Sequence, residues 1–189
     1  MKKYFLALSV LPLSAIIGMA FALTIANGNA VNVVVRDTVE AKNTVEAKNE
    51  IHIATIYAEG SQIYECKADV TGELVWQFRE PVATLYENGS VVGYHYAGPR
   101  WELTDGSMLA ANFVARANGA TPADIPLLKL EVTKWSSIGR IAEATTIQRI
   151  NTKGGVADGS CPADGELLSV PYTADYVFSR RLQEPLLTY

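Results

Sequence analysis

Beyond Ile51, apolar and polar residues alternate with a period of two over several runs. Leu128, Leu130 and Val132 alternate with Lys129, Glu131 and Thr133, and Tyr172, Ala174, Tyr176 and Phe178 alternate with Thr173, Asp175 and Val177. In Leu109–Ala115, Leu109, Ala111, Phe113 and Ala115 share one face, and Asn112 and Arg116 lie on the other. A strand sends successive side chains to opposite faces, so each run predicts a strand with one face in a core and one in water. Shorter runs at Gln62–Lys67, Leu74–Phe78, Ala83–Tyr86, Val91–Tyr96 and Ala144–Ile150 extend the pattern. Thr71-Gly72, Asn88-Gly89 and Asp105-Gly106 sit between candidate strand pairs, and Asn-Gly and Asp-Gly tolerate the positive φ of tight hairpins. No convincing helical stripe appears, although propensity alone would allow a helix over Ile138–Thr146. The expectation is an all-β domain over residues 51–189, a single antiparallel β-sandwich or barrel of about eight strands. Both architectures bury one face of each strand, so alternation does not separate them.

The chain before Ile51 reads differently. Lys2 and Lys3 precede an apolar run from Tyr4 to Ala26, and Gly28-Asn29-Ala30 supplies small residues. Residues 1–30 therefore read as a signal peptide that exports the chain to the periplasm or the medium. A retained anchor is the alternative, because about 20 apolar residues span a bilayer. Pro12 and the small residues favour cleavage, which would leave no stable membrane span. In residues 31–50, Thr38-Val39-Glu40-Ala41-Lys42-Asn43 is followed by an identical copy, Thr44 to Asn49. A six-residue repeat is too short for a solenoid unit, so this segment reads as a flexible, solvated linker.

Charge and cysteine content narrow the picture. Losing Lys2 and Lys3 with the leader takes the net charge from −4 to −6. An acidic chain without a Lys/Arg cluster lacks the basic face that nucleic acid requires. Cys66 and Cys161 are the only two cysteines. In an exported chain an even count suggests one disulfide, with two free thiols as the alternative. Tyr64 and Cys66 are two apart and share a strand face.

Candidate chemistry concentrates between Gly93 and Ser107. His95, Tyr96, Trp101 and Glu102 are the candidate ligand-binding residues. An imidazole titrates near neutrality, and an aromatic ring beside a carboxylate suits a sugar. Period two places Tyr94 and Tyr96 on one face and His95 on the other. No catalytic set is assigned, because the chain has no Gly-x-Ser-x-Gly elbow and no paired carboxylates at a defined spacing. No metal site is assigned, because CxxC and HxxH spacings are missing. Asn88-Gly89-Ser90 fits a glycosylation sequon but reads as a turn. Trp76 and Trp135 read equally as core or platform residues.

Several separated motifs carry a family resemblance over about residues 54 to 180. They are Gln62-Ile63-Tyr64-Glu65-Cys66-Lys67, His95-Tyr96-Ala97-Gly98-Pro99, Trp101-Glu102, Asp105-Gly106-Ser107, Ile125-Pro126, Ile147-Gln148-Arg149 and Val170-Pro171-Tyr172-Thr173-Ala174-Asp175-Tyr176. In order and spacing the chain resembles the secreted bacterial and fungal proteins of domain of unknown function 3455. The resemblance implies a signal peptide and paired cysteines, and it brings no catalytic residues. Arg100 and Leu127 stand where relatives often carry Thr and Trp. Some relatives carry a malate dehydrogenase label, but a dinucleotide fold needs a βαβ unit with GxGxxG, and this chain has neither.

These features point to a secreted or periplasmic disulfide-bonded domain acting as a non-catalytic binding or surface-associated module. Two alternatives stand beside it. One is a hydrolase-like or metal-assisted enzyme using His95 with Glu102 or Asp105. The other is a structural envelope protein. No cofactor is implied, and the expected partner is a small molecule or glycan.

Overall fold

The computed structural model describes residues 49–136 and 138–182. The leader and nearly all of the duplicated segment lie outside them, as does the side chain of Trp135. The described chain forms eight strands: β1 (Glu50–Ala68), β2 (Leu74–Glu87), β3 (Ser90–Tyr96), β4 (Arg100–Leu103), β5 (Met108–Ala117), β6 (Leu127–Trp135), β7 (Thr146–Gly154) and β8 (Leu167–Arg181). Each pairs antiparallel with the next, and β8 pairs with β1, so the sheet closes into a barrel. A barrel therefore replaces the open choice between sandwich and barrel. The segment 138–145 turns and bends without forming a helix.

Local chemistry explains the hairpins. Asp69 Oδ1 accepts from Thr71 N at 2.8 Å, Thr71 Oγ1 at 2.7 Å and Glu73 N at 3.1 Å, which builds the β1–β2 turn from one carboxylate. Asn88 (φ 50°) and Gly89 (φ 77°) make the β2–β3 turn with both central residues left-handed. Curvature needs close strand approach at Gly93, where a Cβ would run into the Glu102 carbonyl and Leu103 of β4.

Up-and-down order places the turns alternately at two ends. The turns after β1, β3, β5 and β7 share one end, hereafter the plug end. The core fills the barrel, with Ile56, Leu85, Trp101, Leu109, Ile147 and Phe178 all buried. The β5–β6 loop closes the plug end with buried Ile125, whose N–H donates to the Gly154 carbonyl at 2.8 Å. Buried Ile141 closes the other end. Glu59, Arg79, Glu102, Arg116, Glu131 and Lys153 face outward and are not buried. A lipid-spanning barrel shows the reverse, an apolar band outside and polar groups within.

Two expectations are corrected. Alternation puts Phe113 in the core with Leu109 and Ala111, but it is 60% exposed. The β5–β6 register shifts between Phe113 and Ala115, so Val114 has no partner opposite and the alternation breaks there. Leu74–Phe78 and Ala83–Tyr86 are also one strand rather than two. Pro81 passes through β2 beside a register shift at Ile63/Tyr64, where a missing N–H is tolerated.

Candidate functional site

The four candidate residues lie on two adjacent strands, and the sheet divides them. His95 pairs with Trp101 in register, and both side chains point into the barrel. Tyr96 and Glu102 point outward, where the Tyr96 hydroxyl donates to Glu102 Oε2 at 2.7 Å. Tyr94, on the same outer face, is 55% exposed. The His95/Trp101 pair and the Tyr96/Glu102 pair therefore do not meet in one site.

Inside, His95 stacks on Trp101 with ring centroids 4.4 Å apart and planes 16° from parallel. Tyr176 packs against both rings, at 4.9 Å from His95 and 5.3 Å from Trp101. His95 Nδ1 donates to the Arg100 carbonyl at 2.8 Å, a tautomer that leaves Nε2 as an acceptor. Burial pushes the imidazole pKa down to about 3, and the nearby Arg149 charge adds to this against the Arg100 hydrogen bond. His95 is therefore neutral at physiological pH. Neither carboxylate considered as its partner reaches it. Glu102 is outside, and Asp105 accepts from Ser107 N and Arg140 N, each at 2.9 Å, in the β4–β5 turn.

The interior polar cluster extends beyond the expected residues. Arg149 on β7 is 8% exposed, and its Nε and Nη2 donate to the Pro126 carbonyl at 3.1 and 2.9 Å. Tyr176 also shares a hydrogen bond with Arg149. The Tyr172 and Tyr176 hydroxyls are 3.4 Å apart, and burial raises the pKa of both, so both stay protonated. Gln62 reaches Tyr172 from β1. Gln62, Tyr172 and Tyr176 were legible only as positions on strand faces. Arg149 carried a usable signal, because it lies two residues from inward-facing Ile147 and so had to bring a charge inside.

A second feature lies on the outer face of β7, β8, β1 and β2. Lys153, Thr173, Glu59, Ser61 and Tyr86 line an open groove of about 610 Å³. The Tyr86 ring lies 6.4 Å from that of Tyr57. Glu59 has no ion-pair partner among the described residues.

Cys66 and Cys161 form the disulfide, which leaves no free thiol for nucleophilic chemistry. The bond fastens the β7–β8 loop to β1, and the Tyr64 hydroxyl donates to the Gly155 carbonyl at 2.7 Å beside it. Trp76 is half-buried on β2 opposite Cys66. Among the described residues no group of three or more His, Cys, Asp or Glu is placed to hold a metal ion. None of their helices is long and apolar enough to cross a membrane.

Fold and interior together define a disulfide-stapled, closed antiparallel barrel with a sealed polar cluster under one end. The family model described as Protein of unknown function (DUF3455) matches residues 46–91 and 87–180, which covers nearly all of this barrel. The chain belongs to that family. No curated protein and no solved structure matches it.

Proposed function

We propose that the protein is an exported, non-catalytic barrel that binds a glycan in its outer groove. Export is supported by the apolar leader after Lys2 and Lys3 and by a disulfide, which persists in oxidising compartments. The groove carries the binding reading. Tyr86 offers a ring face, Glu59 an unpaired carboxylate, and Ser61 and Thr173 hydroxyls, all on a rigid sheet. Rings and hydrogen-bonding groups on a preformed concave surface suit a polyhydroxyl ligand. An acid–base role for His95 lacks its chemical basis, since the ring is neutral, bonded to Arg100 and closed off from water.

Retention on insoluble glycans, including peptidoglycan, chitin and cellulose, tests this reading. Wild-type protein should be retained on at least one. Tyr86→Ala and Glu59→Gln should each weaken retention by about tenfold or more, equivalent to about 1.4 kcal/mol. The melting temperature of Glu59→Gln should stay at the wild-type value, and Tyr86→Ala, which loses its packing against Tyr57, should stay folded with a drop of only a few degrees. Failure of every glycan to retain the wild type, or full retention of both variants, would remove the groove as the site.

A further inference from the structure

The plug end of the barrel interior holds a buried cation without a counter-charge. Arg149 is more than nine-tenths buried, and no carboxylate pairs with it among the described residues. Its partners are neutral oxygens, the Pro126 carbonyl and the Tyr176 hydroxyl. Trp101 Nε1 is a buried donor without an acceptor, and the Gln62 amide reaches only the Tyr172 hydroxyl. The Tyr172 and Tyr176 hydroxyls, 3.4 Å apart, share one hydrogen bond in which one donates and the other accepts. A buried cation is normally paired, and buried donors are normally satisfied. A buried guanidinium held only by neutral oxygens, beside an indole N–H without an acceptor, is matched to a negatively charged, acceptor-only group.

We propose that this end of the barrel binds a small organic carboxylate, for which the Pro126 carbonyl stands in on the Arg149 fork. Both bonds from Arg149 converge on one carbonyl oxygen. A carboxylate presents two oxygens and a full charge, and it meets a guanidinium with two parallel charge-assisted bonds. The stacked His95 and Trp101 rings and Tyr176 offer an apolar wall to the rest of the molecule. Entry requires the Ile125-Pro126 segment to swing away. That segment is held by Arg149, by the Ile125–Gly154 backbone bond, and by Asp124 Oδ1 accepting from Gly154 N at 2.7 Å. The site is inside the wall; Tyr172 borders both it and the outer groove, but Tyr86 and Glu59 line only the groove, so Tyr86→Ala and Glu59→Gln leave it intact.

Calorimetric and tryptophan-fluorescence titration of the purified protein with acetate, benzoate and decanoate tests the proposal. Ionic strength is held constant, with sulfate as the control anion. At least one carboxylate should bind saturably at one site. Arg149→Lys keeps the charge but loses the fork, and Gln62→Leu removes the amide donor of the cluster. At least one of the two should weaken binding by about tenfold or more. Preference for acetate or benzoate assigns a free small acid, and preference for decanoate assigns a lipid-derived one. No saturable binding by folded wild type, an equal response to sulfate, or unchanged affinity in both variants overturns the proposal. If Arg149→Lys does not fold, Gln62→Leu decides alone, because it leaves the Arg149–Pro126 bonds in place.

Discussion

His95 shows how one parity decision sets a residue's chemistry. Placed outward it would titrate near neutrality, but placed inward against Trp101 it holds no proton until about pH 3. The unfolded chain takes up that proton below the ordinary value of 6.5. Folding stability is therefore full above pH 6.5 and falls as the pH drops through the window down to about 3. A tenfold difference in proton affinity between the folded and unfolded chains is worth about 1.4 kcal/mol, so moving two pH units below the ordinary value should cost roughly 2–3 kcal/mol. Asp69 and Asp124 act in a lower window. Their pKa values are depressed, by the Thr71 hydroxyl at Asp69 and by the Gly154 N–H at Asp124, so their contribution is lost only as the pH falls below 3.8. Urea denaturation at pH 7.5 and 4.5 should show the loss in wild type and a flat response in His95→Phe, which keeps a stacked ring. Equal losses in the two proteins would rule out His95 as the source.

At the scale of elements, the strands with strict alternation were legible and the interrupted ones were not. β8 places Tyr172, Ala174, Tyr176 and Phe178 inward as the pattern requires, and all four are buried. β5 departs from its pattern at Phe113 because a register shift depends on what β6 offers opposite, which β5 does not encode. β1 runs for 19 residues, far beyond Gln62–Lys67. Its first half carries His52, Thr55 and Glu59 between apolar residues and needs β8 to hold it extended. The β7–β8 loop has little regular structure and depends on Cys66–Cys161, which closes a separation of 95 residues. For a loop of that length the chain-entropy model gives about 4–5 kcal/mol. A Cys66→Ser/Cys161→Ser double variant should lose roughly that much in denaturant titration, with hydrogen exchange rising first in residues 155–166. A loss under about 1 kcal/mol would show that the backbone bonds of Cys66 with Gly165 and Glu166 are enough to hold the loop.

For the whole molecule, the decisive contact is the β1–β8 seam, which runs from Glu50↔Arg181 to Glu65↔Leu167. It joins the first strand to the last and removes both sheet edges. It also brings the ends of the barrel chain together, since Leu182 N donates to Asn49 O at 2.9 Å. A circular permutant that links residue 182 to residue 49 through a short Gly/Ser segment and opens at Asn88-Gly89 should fold, with a melting temperature within about 5 °C of wild type. A permutant that fails to fold would mean the β2–β3 hairpin is needed to form the seam. Neighbours along the chain were enough to set most strand positions, though not β4 or the first half of β1, and also the faces of the regular strands, the turn residues and the pairing of the only two cysteines. The family's motifs were legible there as well. Contacts between distant strands were needed to close the sheet, to turn His95 and Trp101 inward toward Arg149, Tyr176 and Gln62, and to leave Tyr96 and Glu102 outside. Those outcomes rest on pairing register, where a shift of one residue exchanges inside for outside.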